Sequence, residues 1–303
     1  MKKFLVAVIL LVTTIFVVDK IAYHTLNFLT SKSNIRFSRA IRNVRNDIVV
    51  LGDSRGVNSI NEAFWNDNYS TSLINMSFNG MQPTVLNSFV NDLADAENTK
   101  DAIFFVELTT FLPWQIVSDS TSSKCLNKLS FSKQREVDDF YLPFRNLYPS
   151  VDTVYSNRNY GFNDYLKLLN FNTQSTYRIL LYLLKNDKEY INSRTIDLSI
   201  INYYKQVCCV QVSIEDKAFE ELLSIAKNKA LDLRFFIAPF HQSFRRKLTN
   251  YDSAIKYMSD KYKIHPIDLN EVHLLEVDFA DGYHTNVTGS KKLTEFMHSS
   301  LDK

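Results

Sequence analysis

Three residues of this chain have the types and the order that nucleophilic attack on an acyl carbon requires. Ser54 lies in DIVVLGDSRGVNSIN (47–61), where a β-branched apolar run stops on Gly52-Asp53-Ser54 and an amphipathic stretch begins. A serine hydroxyl is a weak nucleophile until a base takes its proton, and the base needs an acid to fix its tautomer and stabilise its charged form. Asp281 and His284 stand three residues apart in FADGYHTNVTGSKKL (279–293), close enough for one turn to present carboxylate and imidazole to the same side. Each fragment alone also reads as ordinary turn chemistry, with Gly for unusual backbone angles and Asp or Ser as helix caps. Only a fold that carries the last loop to the end of the first strand unites the three.

Two further side chains fall on the same expected rim. His241, in APFHQSFRR (238–246), ends a strand-like run and is a rival base, a substrate contact or a surface-loop histidine. Arg55 is either a solvated side chain on a first helical turn or a group that binds a carboxylate or phosphate of the substrate. His24, His265, His273 and His298 have no partners in sequence. No grouping of histidines and carboxylates suggests a metal, and no cofactor is expected.

The elements that would position these residues alternate. Short apolar runs at 47–52, 71–78, 101–108, 232–240 and 264–270 read as strands. Between and after them, 55–65, 83–98, 218–230, 251–263 and 288–301 have helical spacing; Val85, Leu86, Phe89, Val90 and Leu93 are one such stripe. Strands alternating with helices imply right-handed crossovers, a mostly parallel sheet of five strands and helices on both faces, a doubly wound α/β domain. In such domains ligands bind at the carboxyl ends of the strands, where Ser54 falls. The rhythm is interrupted by 112–212, rich in Tyr, Phe, Asn and Ser, with one helical piece at 176–186. An insertion of that length exceeds any ordinary loop. Its aromatics form either a local core or a sugar-stacking wall. The domain is therefore expected over 46–111 and 213–303.

At the amino terminus Lys2 and Lys3 precede an uncharged apolar run from Phe4 to Val18, ended by Asp19 and Lys20. This reads as a signal-anchor over 1–25 with the body on the extracytoplasmic side, followed by a basic stalk or first surface helix over 26–45. Cys125, Cys208 and Cys209 have no metal-ligand spacing; in an oxidising compartment one bridge from Cys125 to either of the pair is possible, and three buried thiols are the alternative. A net charge of +2 without a basic stripe gives nucleic-acid binding no electrostatic support.

Gly52-Asp53-Ser54 after a first strand, Gly80 in NMSFNGMQP (75–83) after a second, and Asp281-Gly282-Tyr283-His284 before the last helix together resemble the SGNH, or GDSL-type, hydrolase superfamily. The resemblance covers about 45–110 and 215–300. It implies a flavodoxin-like three-layer α/β/α domain, Ser54 as nucleophile, His284 as base, Asp281 as its orienting acid, and an oxyanion hole from the backbone N–H groups of Ser54 and Gly80. Two departures stand out. Arg55 replaces the fourth residue of the Gly-Asp-Ser-Leu string, and the Gly-x-Asn-Asp block after the third strand is absent: FFVELTTFLPW (104–114) has Glu107, Thr109 and Thr110 there. Loss of one oxyanion donor costs about 100- to 1,000-fold in rate, so Asn79 or a threonine hydroxyl substitutes, or the site is slow or dead. Such departures are similar to those of membrane-anchored extracytoplasmic SGNH-like proteins that acylate or deacylate bacterial cell-surface polysaccharides. The expected partners are an acyl donor, a glycan acceptor, the membrane and polysaccharide biosynthesis proteins. The rival expectation is an inactive scaffold or glycan-binding component of a surface-polymer assembly system.

Overall fold

The computed structural model describes residues 2–32, 39–41, 45–116, 150 and 210–301. Most of the stretch between 117 and 209 lies outside them, and with it the helix expected at 176–186 and all three cysteines.

Five strands form one sheet: β1 (Ile48–Leu51), β2 (Leu73–Asn75), β3 (Ile103–Glu107), β6 (Asp232–Ile237) and β7 (Ile267–Asp268), in the order β2-β1-β3-β6-β7 and parallel throughout. These are the five runs read from the sequence. β1 is short and wholly buried, as a strand covered on both faces must be, and its side chains alternate between two cores. Val49 and Leu51 face a cluster built with Val85, Phe89 and Leu93 of α4 (Pro83–Asp95), Phe219 and Leu222 of α5 (Asp216–Asn228) and Met258 of α7 (Tyr251–Tyr262). Ile48 and Val50 face a second cluster with Trp65, Leu293 and Met297. Trp65 belongs to α3 (Glu62–Asn68), and the other two to α8 (Val287–Ser299). The single helix expected over 55–65 is two: α2 (Ser54–Ser59) and α3, separated because Asn61 turns its side chain to cap Phe64 N–H at 2.9 Å.

The ends of the long insertion meet. β4 (Trp114–Ile116) and β5 (Val210–Val212) pair antiparallel, and Leu112, Val210 and Val212 are buried in the larger core. The described ends of the 112–212 segment are thus seated on the α/β body. At the other terminus α1 (Lys2–Lys32) runs unbroken across the boundary expected at residue 25, with Phe4, Leu10, Leu11 and Val12 exposed. Among the described residues no helix is long and apolar enough to cross a membrane, so the spanning helix expected there is not found. The uncharged run stops at Asp19 and Lys20, short of the about 17 to 25 residues a span requires.

β1 neighbours both β2 and β3, so chains leaving the carboxyl ends of β1 and β3 diverge from adjacent positions, and a crevice opens between them. Gly52 makes this approach possible: a Cβ there would lie 2.6 Å from Glu107 Cβ at the end of β3. Gly52→Ala is expected to lower stability by about 1–3 kcal/mol through overpacking, read as a lower urea midpoint with an unchanged m-value.

Candidate active site

Where β1 ends, the chain needs a residue that caps the next helix. Asp53 supplies it, accepting from Arg55 N–H at 2.8 Å, and leaves Ser54 as the first residue of α2. The Ser54 Oγ lies 2.8 Å from His284 Nε2, and His284 Nδ1 lies 2.8 Å from Asp281 Oδ2. With a carboxylate beside Nδ1, that nitrogen carries the proton and Nε2 accepts from the Ser54 hydroxyl. The Asp281 carboxylate is itself aimed: its Oδ1 accepts from Tyr283 N–H and His284 N–H, both at 2.9 Å. The side chains of Asp281 and His284 are largely sheltered, at 22% and 15% exposed, while remaining open to a ligand. This arrangement can withdraw a proton from Ser54 and hold it on an imidazole whose charge Asp281 balances.

The 230 residues between Ser54 and His284 are bridged by the packing of α8. Asn286 caps that helix through Thr288 N–H (3.0 Å) and Gly289 N–H (3.1 Å), and its amide nitrogen donates to Val277 O at 2.7 Å. Ala280 N–H donates to His284 O at 2.9 Å, closing the Asp281–His284 turn into a tight loop. Thr285 Oγ1 donates to Asn58 O at the far end of α2, and Asn61 N–H donates to Thr294 Oγ1 at 2.9 Å. The serine helix and the histidine loop are thus joined by direct hydrogen bonds as well as by a common core.

Behind Ser54 lies a buried set of charges. Arg55 is 2% exposed, with Nη2 3.0 Å from Asp53 Oδ2 and 3.7 Å from Glu107 Oε2, and its guanidinium stacks 4.8 Å from the centre of the Phe240 ring. Arg55 is therefore committed to protein carboxylates; the expectation that it binds substrate is corrected. Burial disfavours its charge, but Asp53 and Glu107 outweigh burial and hold it protonated. Burial likewise pushes Asp53 up, and Arg55 more than offsets this, leaving the carboxyl below its ordinary value. For Glu107 burial prevails and the carboxyl is raised.

Glu107 is fully buried and also accepts from the hydroxyls of Thr109 and Thr110, the latter at 3.0 Å. Thr110 Oγ1 in turn accepts from Asp53 N–H at 3.1 Å. The hydroxyls of Thr109 and Thr110, offered beside Asn79 as substitutes for the missing asparagine donor, are thus both turned inward onto a buried carboxylate that must be hydrogen-bonded.

Asn79 and Gly80 occupy the tip of a turn closed by Met81 N–H on Phe78 O at 3.2 Å, with Gly80 at φ 74°, a conformation that favours glycine. Phe78 N–H donates to Gly52 O at 3.2 Å, which sets this turn beside the Ser54 loop. His241 is buried; its Nδ1 lies 2.7 Å from Ser243 Oγ and caps α6 (Gln242–Arg245), its N–H donates to Gly282 O at 3.1 Å, and its ring meets Phe279 edge-on. His284, not His241, is the imidazole on Ser54; His241 braces the loop that carries it. Among the described residues no group of three His, Cys, Asp or Glu side chains is placed to hold a metal ion.

No protein-family model matches the chain, and no curated protein is significantly similar to it. What sequence reasoning missed is the pairing of Arg55 with Asp53 and Glu107 and the inward turn of Thr109 and Thr110 onto Glu107. An Asp just before a helix is a recognisable cap, but its pairing with Arg55 and with the end of β3 requires the sheet order.

Burial holds the His241 imidazole below its ordinary pKa, so the unfolded chain takes up a proton first as pH falls through about 6.5. Stability contributed by neutral His241 is therefore lost on acidification. His241→Asn, which retains a capping acceptor, is expected to show a smaller fall in urea midpoint between about pH 7.5 and about pH 5.5 than wild type.

Proposed function

We propose that this chain is an SGNH-type serine esterase or O-acyltransferase that handles a small, acetyl-like group on a cell-surface or exopolysaccharide. The observation that carries the proposal is the unbroken hydrogen-bond chain from Asp281 through His284 to Ser54, at the carboxyl end of a parallel sheet and beside the point where its strand order reverses. That order also fits the flavodoxin-like three-layer domain of the superfamily the motifs resemble.

In this reading Ser54 Oγ attacks the acyl carbon of the donor as its proton passes to His284 Nε2. Asp281 Oδ2 balances the imidazolium through Nδ1–H. The tetrahedral oxyanion is met by the Ser54 N–H, which the helix's own ladder leaves without an acceptor, and by donors of the Asn79–Gly80 turn. The leaving oxygen collects the proton from His284, giving a Ser54 ester. A sugar hydroxyl or water, deprotonated by His284, then releases the acyl group. Lys2 and Lys3 before the apolar Phe4–Val18 run support association of the amino-terminal helix with a membrane as part of this reading, and an extracytoplasmic body rests on the family resemblance. The glycan acceptor and polysaccharide biosynthesis partners rest on the family resemblance.

One observation favours a second reading, an inactive scaffold or glycan-binding component: Thr109 and Thr110 spend their hydroxyls on Glu107 where a further oxyanion donor is expected. Labelling of the purified full-length protein with a fluorophosphonate separates the two. The esterase reading expects stoichiometric labelling, absent in Ser54→Ala and slowed about 10,000-fold or more in His284→Ala. A folded wild type that stays unlabelled would count against the esterase reading and make glycan or partner binding the working one.

A further inference from the structure

We propose that Arg55 is a positioning residue, the centre of a buried charge lock that fixes the Ser54 turn by tying Asp53 at the end of β1 to Glu107 at the end of β3. The inference deepens the serine-enzyme reading and rests on it for its kinetic consequence.

The contacts form a closed circuit. The Asp53 N–H donates to Thr110 Oγ1 (3.1 Å), the Thr110 hydroxyl donates to Glu107 Oε2 (3.0 Å), Glu107 Oε2 pairs with Arg55 Nη2 (3.7 Å), and Arg55 Nη2 returns to Asp53 Oδ2 (3.0 Å). Both the backbone and the side chain of Asp53, the residue immediately before Ser54, are held by this circuit. The same carboxylate caps α2 through Arg55 N–H, so the cap and the lock share one group. The Arg55–Glu107 side of the circuit is closed to a ligand, Glu107 being 0% and Arg55 2% exposed, and only Asp53, at 18%, keeps an edge toward the surface. The groups facing the guanidinium are Asp53 on its own turn, Glu107 from β3, the Phe240 ring and Tyr251 from α7, whose own ring carries Arg245 at 4.4 Å. His284 is near enough to Asp53 to influence its charge. Arg55 is therefore the counter-charge that lets an anionic cap stand beside the imidazole without drawing it away from Asp281. A lysine does not reproduce it, because a single ammonium cannot make the two-point contact of the guanidinium with Asp53, Nε on Oδ1 (3.4 Å) and Nη2 on Oδ2 (3.0 Å), while also facing Glu107.

The test compares purified full-length wild type, Arg55→Lys, Arg55→Met and Arg55→Met/Glu107→Gln. In saturation kinetics with an alkyl fluorophosphonate, Arg55→Lys is expected to lower the maximal labelling rate by about tenfold or more while the saturation constant stays within about twofold, as for a misplaced reacting atom. In urea unfolding, Arg55→Met leaves the buried Glu107 and the largely sheltered Asp53 without a counter-charge. The folded chain then binds protons that the unfolded chain does not, so its deficit relative to wild type narrows between about pH 7.5 and about pH 5. If Arg55→Met does not fold at neutral pH, the double variant, with one carboxylate neutralised, is expected to fold and to show the same narrowing. A folded Arg55→Lys that labels at the wild-type rate overturns the proposal, and so does a stability deficit equal at both pH values. A wild type that never labels defeats the esterase reading alone, and the pH-dependent deficit then decides the lock by itself.

Discussion

A guanidinium removed from water must have its charge met, and in this fold the requirement is satisfied by one carboxylate from each of two neighbouring strand ends. Moving a charged side chain into the interior costs several kcal/mol, and pairing offsets this only when the geometry is good. Asp53 follows β1 and Glu107 ends β3, so their common attraction to Arg55 holds the two carboxyl ends in fixed relation. Gly52 permits the approach by having no side chain where Glu107 passes. The serine turn is thus set by a contact on its inner side, and its outer side is left to face the crevice.

The second constraint is carried by α8 and the loop before it. Asp281 directs one oxygen at two backbone N–H groups and the other at the His284 ring, so the imidazole's orientation is decided within four residues. The placement of that turn is decided elsewhere, by Asn286 capping α8, by Thr285 and Thr294 bonding to the α2 region, and by His241 N–H on Gly282 O. His241 is a useful contrast with His284. Both lie at the same rim; one is buried and spends its Nδ1 on a helix cap, and the other keeps both ring nitrogens on a serine-to-carboxylate line.

The region after β3 shows how one buried carboxylate sets the role of its neighbours. A carboxylate at 107, buried beside Asp53, cannot be satisfied by Arg55 alone at 3.7 Å, and it recruits the Thr109 and Thr110 hydroxyls. Those hydroxyls are then unavailable to a ligand.

By itself the sequence determined the local elements: five apolar runs became five strands, the Val85–Leu93 stripe became the buried face of α4, and Asp53 was legible as a cap. It also determined that Asp281 and His284 would share a turn, because three residues is the span of one. These are short-range matters of periodicity, capping and backbone freedom, written in adjacent residues. What only the tertiary structure decided is which long-range partners meet. Arg55 reads on paper as an exposed residue of a first helical turn, and it is buried because β3, in the middle of the sheet beside β1, delivers Glu107 to it. The Ser54–His284 contact likewise depends on α8 lying across the face of the sheet that Ile48 and Val50 line. Strand order and the stacking of helices are global outcomes of burying two apolar faces at once, and no window of neighbouring residues contains them.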